Sequence, residues 1–321
     1  MIISIEHQSV FLGKANDAQL ALSLDSVTPP PEELCLTKDF KTHSSFCFGI
    51  DEFETVESRY IALIKEALDQ LDLDLTGAPV LFIPPGYGLS EESQLTAFTH
   101  KVSEAFPSLF QNASSRIYPY GRSSVLMLFG YLKELLAREP GQTVWVLAVD
   151  SYANLRRLNE LNQSNKLLTE ETGDGMIVSE GAIILGIKQT TEGLMVSWSG
   201  SDASVSHGKL SSSGDFAVEQ LFHKLTDQTQ QPLNTIYLPD NGDQQISNAW
   251  MDEYRCLAPI ITKDTQMYFS TAVTGELGSV GGLYRLLHLY SSYKKGRIDG
   301  LTMQCEISDK LYRAVALYQW R

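Results

Sequence analysis

The same order of elements occurs twice along this chain. In the first half the apolar stretch "VLFIPPGYG" runs into a turn. A helix over Arg122–Ala137 follows, and then the continuous apolar strand "TVWVLAVDS". In the second half "TIYLPDNGD", a helix over Gly278–Lys295 and "RAVALYQW" come in the same order. The letters match weakly, but the order is consistent, and an internal repeat decides an architecture. Both helices are apolar on nearly every side, which predicts burial on nearly every side. Two similar α/β halves with these helices back to back between two sheets make a five-layer α/β/α/β/α sandwich. The alternative is one doubly wound sheet with accidental similarity. The halves are expected at 1–175 and 176–321, forming one compact unit.

The remaining stretches fill this frame. A first strand is expected near Ile2–Ile5, and the prolines of "SVTPPPEEL" mark a loop. From Glu54 to Leu73 the apolar residues Val56, Tyr60, Leu63, Ile64, Ala67 and Leu71 recur at helical spacing. "EESQLTAFTHKVSEAF" is helical with Ser90 as its N-cap, and "SSRIYPYG" is a short extended piece. "GMIVSEGAIILGI" and "LMVSWSG" predict strands. "SGDFAVEQLFHKL" predicts a helix capped at Ser213 or Asp215, and "SNAWMDEYRCL" another helix. "TQMYFSTAVTG" reads as extended, and Gly296 as the stop of the second apolar helix.

Composition narrows the functions. With 321 residues, 43% of them hydrophobic, the chain can bury a large core. Its formal net charge of -14 opposes binding to a phosphate backbone, so no nucleic-acid partner is expected. No run is long and apolar enough for a membrane span, and "MIISIEHQSVFLG" lacks the basic start of a signal peptide. A cytoplasmic protein is expected. Cys35, Cys47, Cys256 and Cys305 lie far apart, which suits reduced, mostly buried thiols. The six histidines do not cluster with them in sequence, so no metal and no cofactor is expected.

Three stretches carry a resemblance to the thiolase-like superfamily, specifically the β-ketoacyl synthases. "GRSSVLMLFGYLKELLAREPGQTVWVLAVDS" resembles that family's nucleophile elbow, buried helix and following strand. "TGDGMIVSEGAIILGI" resembles its glycine-rich turn into a Glu-Gly-Ala strand, with Gly175, Glu180, Gly181 and Ala182 in place. "TGELGSVGGLYRLL" resembles the small-residue run that opens the second buried helix. The resemblance covers roughly residues 80–321.

In that family a helix-mouth cysteine takes the acyl group, and two histidines stabilise the malonyl carboxylate and the developing enolate. The resemblance implies that the cysteine position is Arg122, or Ser123 if the turn shifts by one. It implies Asn241, followed by Gly242, for the first histidine and Gly275 for the second. The closing Gly-Phe-Gly-Gly turn is replaced by "CEISDKLYRAVAL". The reactive groups are therefore expected to be absent together, leaving a remnant pocket of Arg122, Ser123, Glu180, Asn241, Gly242 and Gly275.

Other roles for these residues stand beside that one. Ser123 is a candidate serine nucleophile, although Gly121-Arg122-Ser123-Ser124-Val125 is only half of a G-x-S-x-G elbow. It would need an acid such as Asp150 and a histidine such as His207 or His288. His288 reads as a core histidine and His207 as solvated. Glu180 lies in an apolar strand and calls for a partner. Asp150 and Ser151 read as structural. Arg122 either binds an anion with the helix N-terminus or pairs with Glu180 or Asp150. "LRRLNELNQSNKLL" is amphipathic and serves either dimer contacts or solvent exposure.

Three functions follow as expectations. The first is a non-catalytic partner or accessory subunit, forming a homodimer or a heterodimer with a ketosynthase-like subunit and engaging an acyl carrier protein. The resemblance places the dimer contact at "TVWVLAVDS". The second is an acyltransferase or thioester hydrolase using Ser123. The third is an adaptor or scaffold beside a bacterial secretion system.

Overall fold

A computed structural model describes residues 1–13, 33–36, 42–47, 55–86, 92–169, 171–204 and 215–321. Most of the proline-rich loop, Ser90, His207 and Ser213 lie outside the described residues.

Twelve strands are described: β1 (Ile2–Leu12), β2 (Glu33–Leu36), β3 (Thr42–Ser45), β4 (Val80–Ile83), β5 (Arg116–Ile117), β6 (Val144–Ser151), β7 (Glu180–Gln189), β8 (Leu194–Ala203), β9 (Leu233–Tyr237), β10 (Gln266–Tyr268), β11 (Leu301–Ile307) and β12 (Tyr312–Trp320). The helices are α1 (Val56–Leu71), α2 (Glu92–Ala105), α3 (Ser124–Met127), α4 (Phe129–Arg138), α5 (Leu155–Gln163), α6 (Phe216–Gln228), α7 (Gln244–Met251), α8 (Thr271–Thr274) and α9 (Val280–Lys294).

Strand order makes the repeat explicit. The first set runs β5-β4-β6-β7-β1 and the second β10-β9-β11-β12-β8. Numbered within each set, both read third, second, fourth, fifth, first. Directions agree too: β4 is parallel to β5 and β6, and β9 to β10 and β11. The fifth strand of each set is antiparallel to both neighbours. An antiparallel step from β1 to β8, Ile2 opposite Met195 and Ile3 opposite Leu194, joins the sets into ten strands. The first set reaches Gln189, beyond residue 175, because β7 is bonded to β6 and β1. The small β2–β3 hairpin stands apart.

Side chains alternate across these strands and so supply two faces. In β4, Val80 and Phe82 face Tyr60, Leu63 and Ile64 of α1 and Phe98 of α2 in one outer core. Leu81 and Ile83 face the central core, where Val125, Leu128 and Phe129 meet Val280, Leu283 and Leu287 of α9. On the far side, Leu221 and Phe222 of α6 cover Ile236, Met303 and Val315. Helices, sheet, helices, sheet, helices make five layers.

Three readings need correction. The helix expected over Arg122–Ala137 is a 3-10 turn (Gly121–Ser123), α3 and α4, with a step at Leu128. It is buried from Arg122 to Phe129 save half-buried Met127, but Lys133 and Glu134 face water, so its second part is amphipathic. "TQMYFSTAVTG" is extended only at β10 and then turns into α8. β6 is bonded to β4 and β7 along both sides and has no free edge for a second subunit. β5, bonded to β4 at one end of the ten strands, is an edge.

Candidate functional site at the mouths of the central helices

The strand-to-helix turn before α3 is tight. Gly121 has φ 61, and a Cβ there would lie 3.2 Å from Ser308 Oγ. A left-handed residue in so little space requires glycine. The next side chain, Arg122, is 3% exposed. Its Nε donates to Glu276 Oε1 at 3.0 Å, its Nη1 to Asp309 Oδ1 at 2.6 Å and its Nη2 to the Tyr152 hydroxyl at 3.2 Å. Burial works against its charge, but the carboxylates of Asp309 and Glu276 outweigh it and hold the guanidinium well above its ordinary range. Arg122 therefore pairs with neither Glu180 nor Asp150, the two acids suggested by sequence.

Ser123 is fully buried and its hydroxyl is engaged. Its Oγ bonds to the carbonyls of Glu306 at 3.1 Å and Tyr312 at 3.0 Å, and Ser308 Oγ lies 3.0 Å away. None of these partners is a histidine. The Ser123 N–H, which could have faced an anion, donates to Ser308 Oγ at 3.0 Å, and the Tyr120 N–H donates to Ser124 Oγ at 3.0 Å. His288 sits in the core with Nδ1 2.7 Å from the Tyr237 hydroxyl.

The start of α9 is filled in a similar way. Asp150 Oδ2 accepts the N–H of Ser279, the N-cap of α9, at 2.9 Å, and that of Gly86 at 3.2 Å. Its Oδ1 accepts from Arg157 Nη1 at 3.1 Å. Glu276 Oε1 takes the Gly278 N–H at 2.6 Å. Gly278 has φ 58, and a Cβ there would lie 2.1 Å from Asp150 Oδ2. Two internal carboxylates thus occupy the electropositive end of a helix, where an external anion would otherwise bind.

Segment 175–180 gathers the other expected positions. Asn241 Oδ1 accepts the Asp243 N–H at 3.0 Å, and its Nδ2 lies 3.4 Å from Met176 Sδ. Gly242 has φ 87 and presses on Gly175, so that a Cβ would lie 2.2 Å from the Gly175 carbonyl oxygen. The turn then launches α7, with Asp243 capping the Gln245 N–H. Gly275 has φ 66, and a Cβ there would meet Phe46 at 2.8 Å and the Ile177 oxygen at 2.9 Å. Position 275 has no room for an imidazole. Glu180, at the start of β7, is bound by Arg59 Nε and Nη2 of α1, both at 2.5 Å, and by Ser151 Oγ at 2.7 Å.

Among the described residues four arginines are buried: Arg59, Arg122, Arg157 and Arg285. Each is ion-paired, with Glu180, Glu276, Asp150 and Glu306 respectively. Arg157 also stacks on Tyr152, its guanidinium carbon 3.4 Å from the ring centre. A cavity of about 260 Å³ opens beside this network, lined in part by Tyr152, Arg157, Lys166, Met176, Asp243 and Asp309. Arg122 is not in its lining. Two of its partners, Tyr152 and Asp309, stand between.

Sequence reasoning missed Arg59, Glu276, Arg285, Glu306 and Asp309. The signal for Glu306 was there: a carboxylate in the apolar run "LTMQCEI", which is β11. The thiols behave largely as expected. Cys47 and Cys305 are buried, Cys256 is half-buried, and the Cys35 side chain lies outside what is described. Burial pushes the Cys305 thiol up, away from reactivity. Among the described residues no helix is long and apolar enough to cross a membrane.

No family profile matches the chain. No curated protein matches it either. Solved structures do. The chain is similar to a ketosynthase from module 6 of the bacillaene synthase of Bacillus subtilis 168, with a TM-score of 0.69 at 10% identity, covering 100% of this chain and 72% of that one. It is similar to a ketosynthase in complex with its chain length factor from Xenorhabdus doucetiae, with a TM-score of 0.67 at 12% identity, covering 100% and 98%. The ishigamide ketosynthase/chain length factor gives 0.64 at 12% identity, covering 100% and 99%. At such identities the likeness is one of fold. The fold is the thiolase-like fold of the ketosynthases.

Proposed function

We propose that this protein is a non-catalytic, ketosynthase-like subunit, working as partner or accessory to an active acyl-chain-building enzyme. The observation that carries the reading is the Arg122 guanidinium, buried at the mouth of the first central helix and held by Glu276, Asp309 and Tyr152. A nucleophile at that mouth needs an open approach and a free anion pocket, and here internal groups take both. The strained glycine at 275 supports the same reading, since it leaves no space for the second histidine. Ser123 is bonded to two main-chain carbonyls, and among the described residues no general base is hydrogen-bonded to its hydroxyl.

The similar structures suggest the kind of partner. Two contain a ketosynthase with its chain length factor, and another is an acyl-carrier protein in complex with its ketosynthase. Strand β5, at the sheet edge, is our choice for the subunit contact. The test is recovery of the tagged protein from its host with mass-spectrometric identification of what accompanies it. A cysteine-bearing ketosynthase or an acyl carrier protein is the expected companion. Secretion components, or this chain alone as a dimer, would replace the proposal with the adaptor reading.

A further inference from the structure

Away from the helix mouths, the outer layer of the second half brings together donors that the sequence keeps apart. Glu219 and His223 lie four residues apart on α6, one turn along the same face. Cys256 comes from the 3-10 turn Tyr254–Ile260 that packs against α6. Its Sγ is 3.6 Å from His223 Nε2. One ligand atom from each of the three lies within 4.8 Å of the other two. Sequence spacing implied that no histidine meets a cysteine. The fold overturns that by laying the turn across the helix.

A second observation points to a missing partner. Glu253, three residues before Cys256, is 4% exposed, and its Oε2 has no hydrogen-bond partner. A buried carboxylate oxygen left bare is costly and rare in native proteins. Arg255 beside the thiol supplies one counter-charge. The carboxylate of Glu219, the imidazole of His223 and the thiol of Cys256 remain within reach of one another.

We propose that Glu219, His223 and Cys256 bind one divalent cation of the zinc class, with water as the fourth donor. An imidazole nitrogen and a sulfur select a borderline-soft ion, and a carboxylate is an accepted companion. Calcium and magnesium want oxygen donors alone. Zinc–ligand bonds of about 2.0–2.3 Å in a tetrahedron put neighbouring donors roughly 3.5 Å apart, and the His223–Cys256 separation matches. The ion staples α6 to the turn, so its role is structural.

The test uses the full chain, freed of metal by chelation and titrated with zinc by calorimetry and with cobalt by absorption. We expect one equivalent bound, a thiolate-to-cobalt charge-transfer band and a rise in Tm. C256S should lose the band, and C256S and H223A should each weaken binding by about tenfold or more. Alkylation of Cys256 in the unaltered protein, located by peptide mapping, should slow when zinc is present. Absence of binding, equal binding by either variant, or alkylation of Cys256 indifferent to zinc would overturn the site.

Discussion

Arg122 and Glu276 stand 154 positions apart in sequence and meet at 3.0 Å, joining the mouth of the first central helix to the approach of the second. Both are about as buried as core leucines. Removing one member of such a pair strands the other charge, which costs about 3–5 kcal/mol. Arg122→Ala is expected to lower stability by that order in urea unfolding. Arg122→Met, which keeps volume but not charge, should lower it as well, because Glu276 and Asp309 remain. Replacing Arg122 and Glu276 together by apolar residues should recover part of the loss.

On the proposed function, installing ketosynthase-type residues by substitution should yield no condensing activity. Gly275→His asks a β-carbon to sit 2.8 Å from Phe46 at φ 66. We expect the protein to lose about 1–3 kcal/mol or more and to gain no condensation with malonyl and acyl thioesters, even combined with Arg122→Cys. Product formation by the double variant would sink the view that the pocket is closed.

Ser123→Ala separates the hydrolase reading from the partner reading. The hydroxyl serves two carbonyls, so its loss should cost about 1 kcal/mol in stability. Hydrolysis of an acyl thioester, measured by thiol release, should stay at the buffer rate in both proteins. A faster rate in the unaltered protein that falls in the variant would restore Ser123 as a nucleophile.

Arg59 and Glu180 tie α1 to the start of β7 through two hydrogen bonds. A double-mutant cycle with Arg59→Leu and Glu180→Gln should give a coupling of about 1 kcal/mol or more. Additive single effects would mean that Ser151 and the other contacts of Glu180 carry the carboxylate without Arg59.

Much of the layering was legible because periodicity is local. Tyr60, Leu63 and Ile64 announce a helix face, and "TVWVLAVDS" a strand covered on both sides, without knowledge of what covers them. The repeat was visible for the same reason, but one strand was matched wrongly: the sequence paired β6 with β12, whereas the strand order makes β11 the counterpart of β6 and β12 that of β7. The charge network was not. Glu180 in an apolar strand demanded a partner, but nothing near it in sequence named Arg59, 121 positions away. Arg122 was matched to Glu180 and Asp150, whose own partners turn out to be Arg59 and Arg157. Strand β11 went unread because "LTMQCEI" mixes Thr, Gln and Glu into its apolar pattern. These polar groups face Tyr293, Gly282 and Arg285 inside the protein rather than water. His223 and Cys256 meet only once the turn folds back on α6.

Helix α9 is enclosed from Val280 to Tyr293 save Ser291, and its neighbours come from both strand sets. During synthesis it emerges late, after every strand of the first set. Until the last two strands are in place its second wall is incomplete. Neither half released on its own could hide it, so fragments should aggregate where the intact chain does not. A ribosome-bound intermediate lacking β11 and β12 would be the natural client of a chaperone.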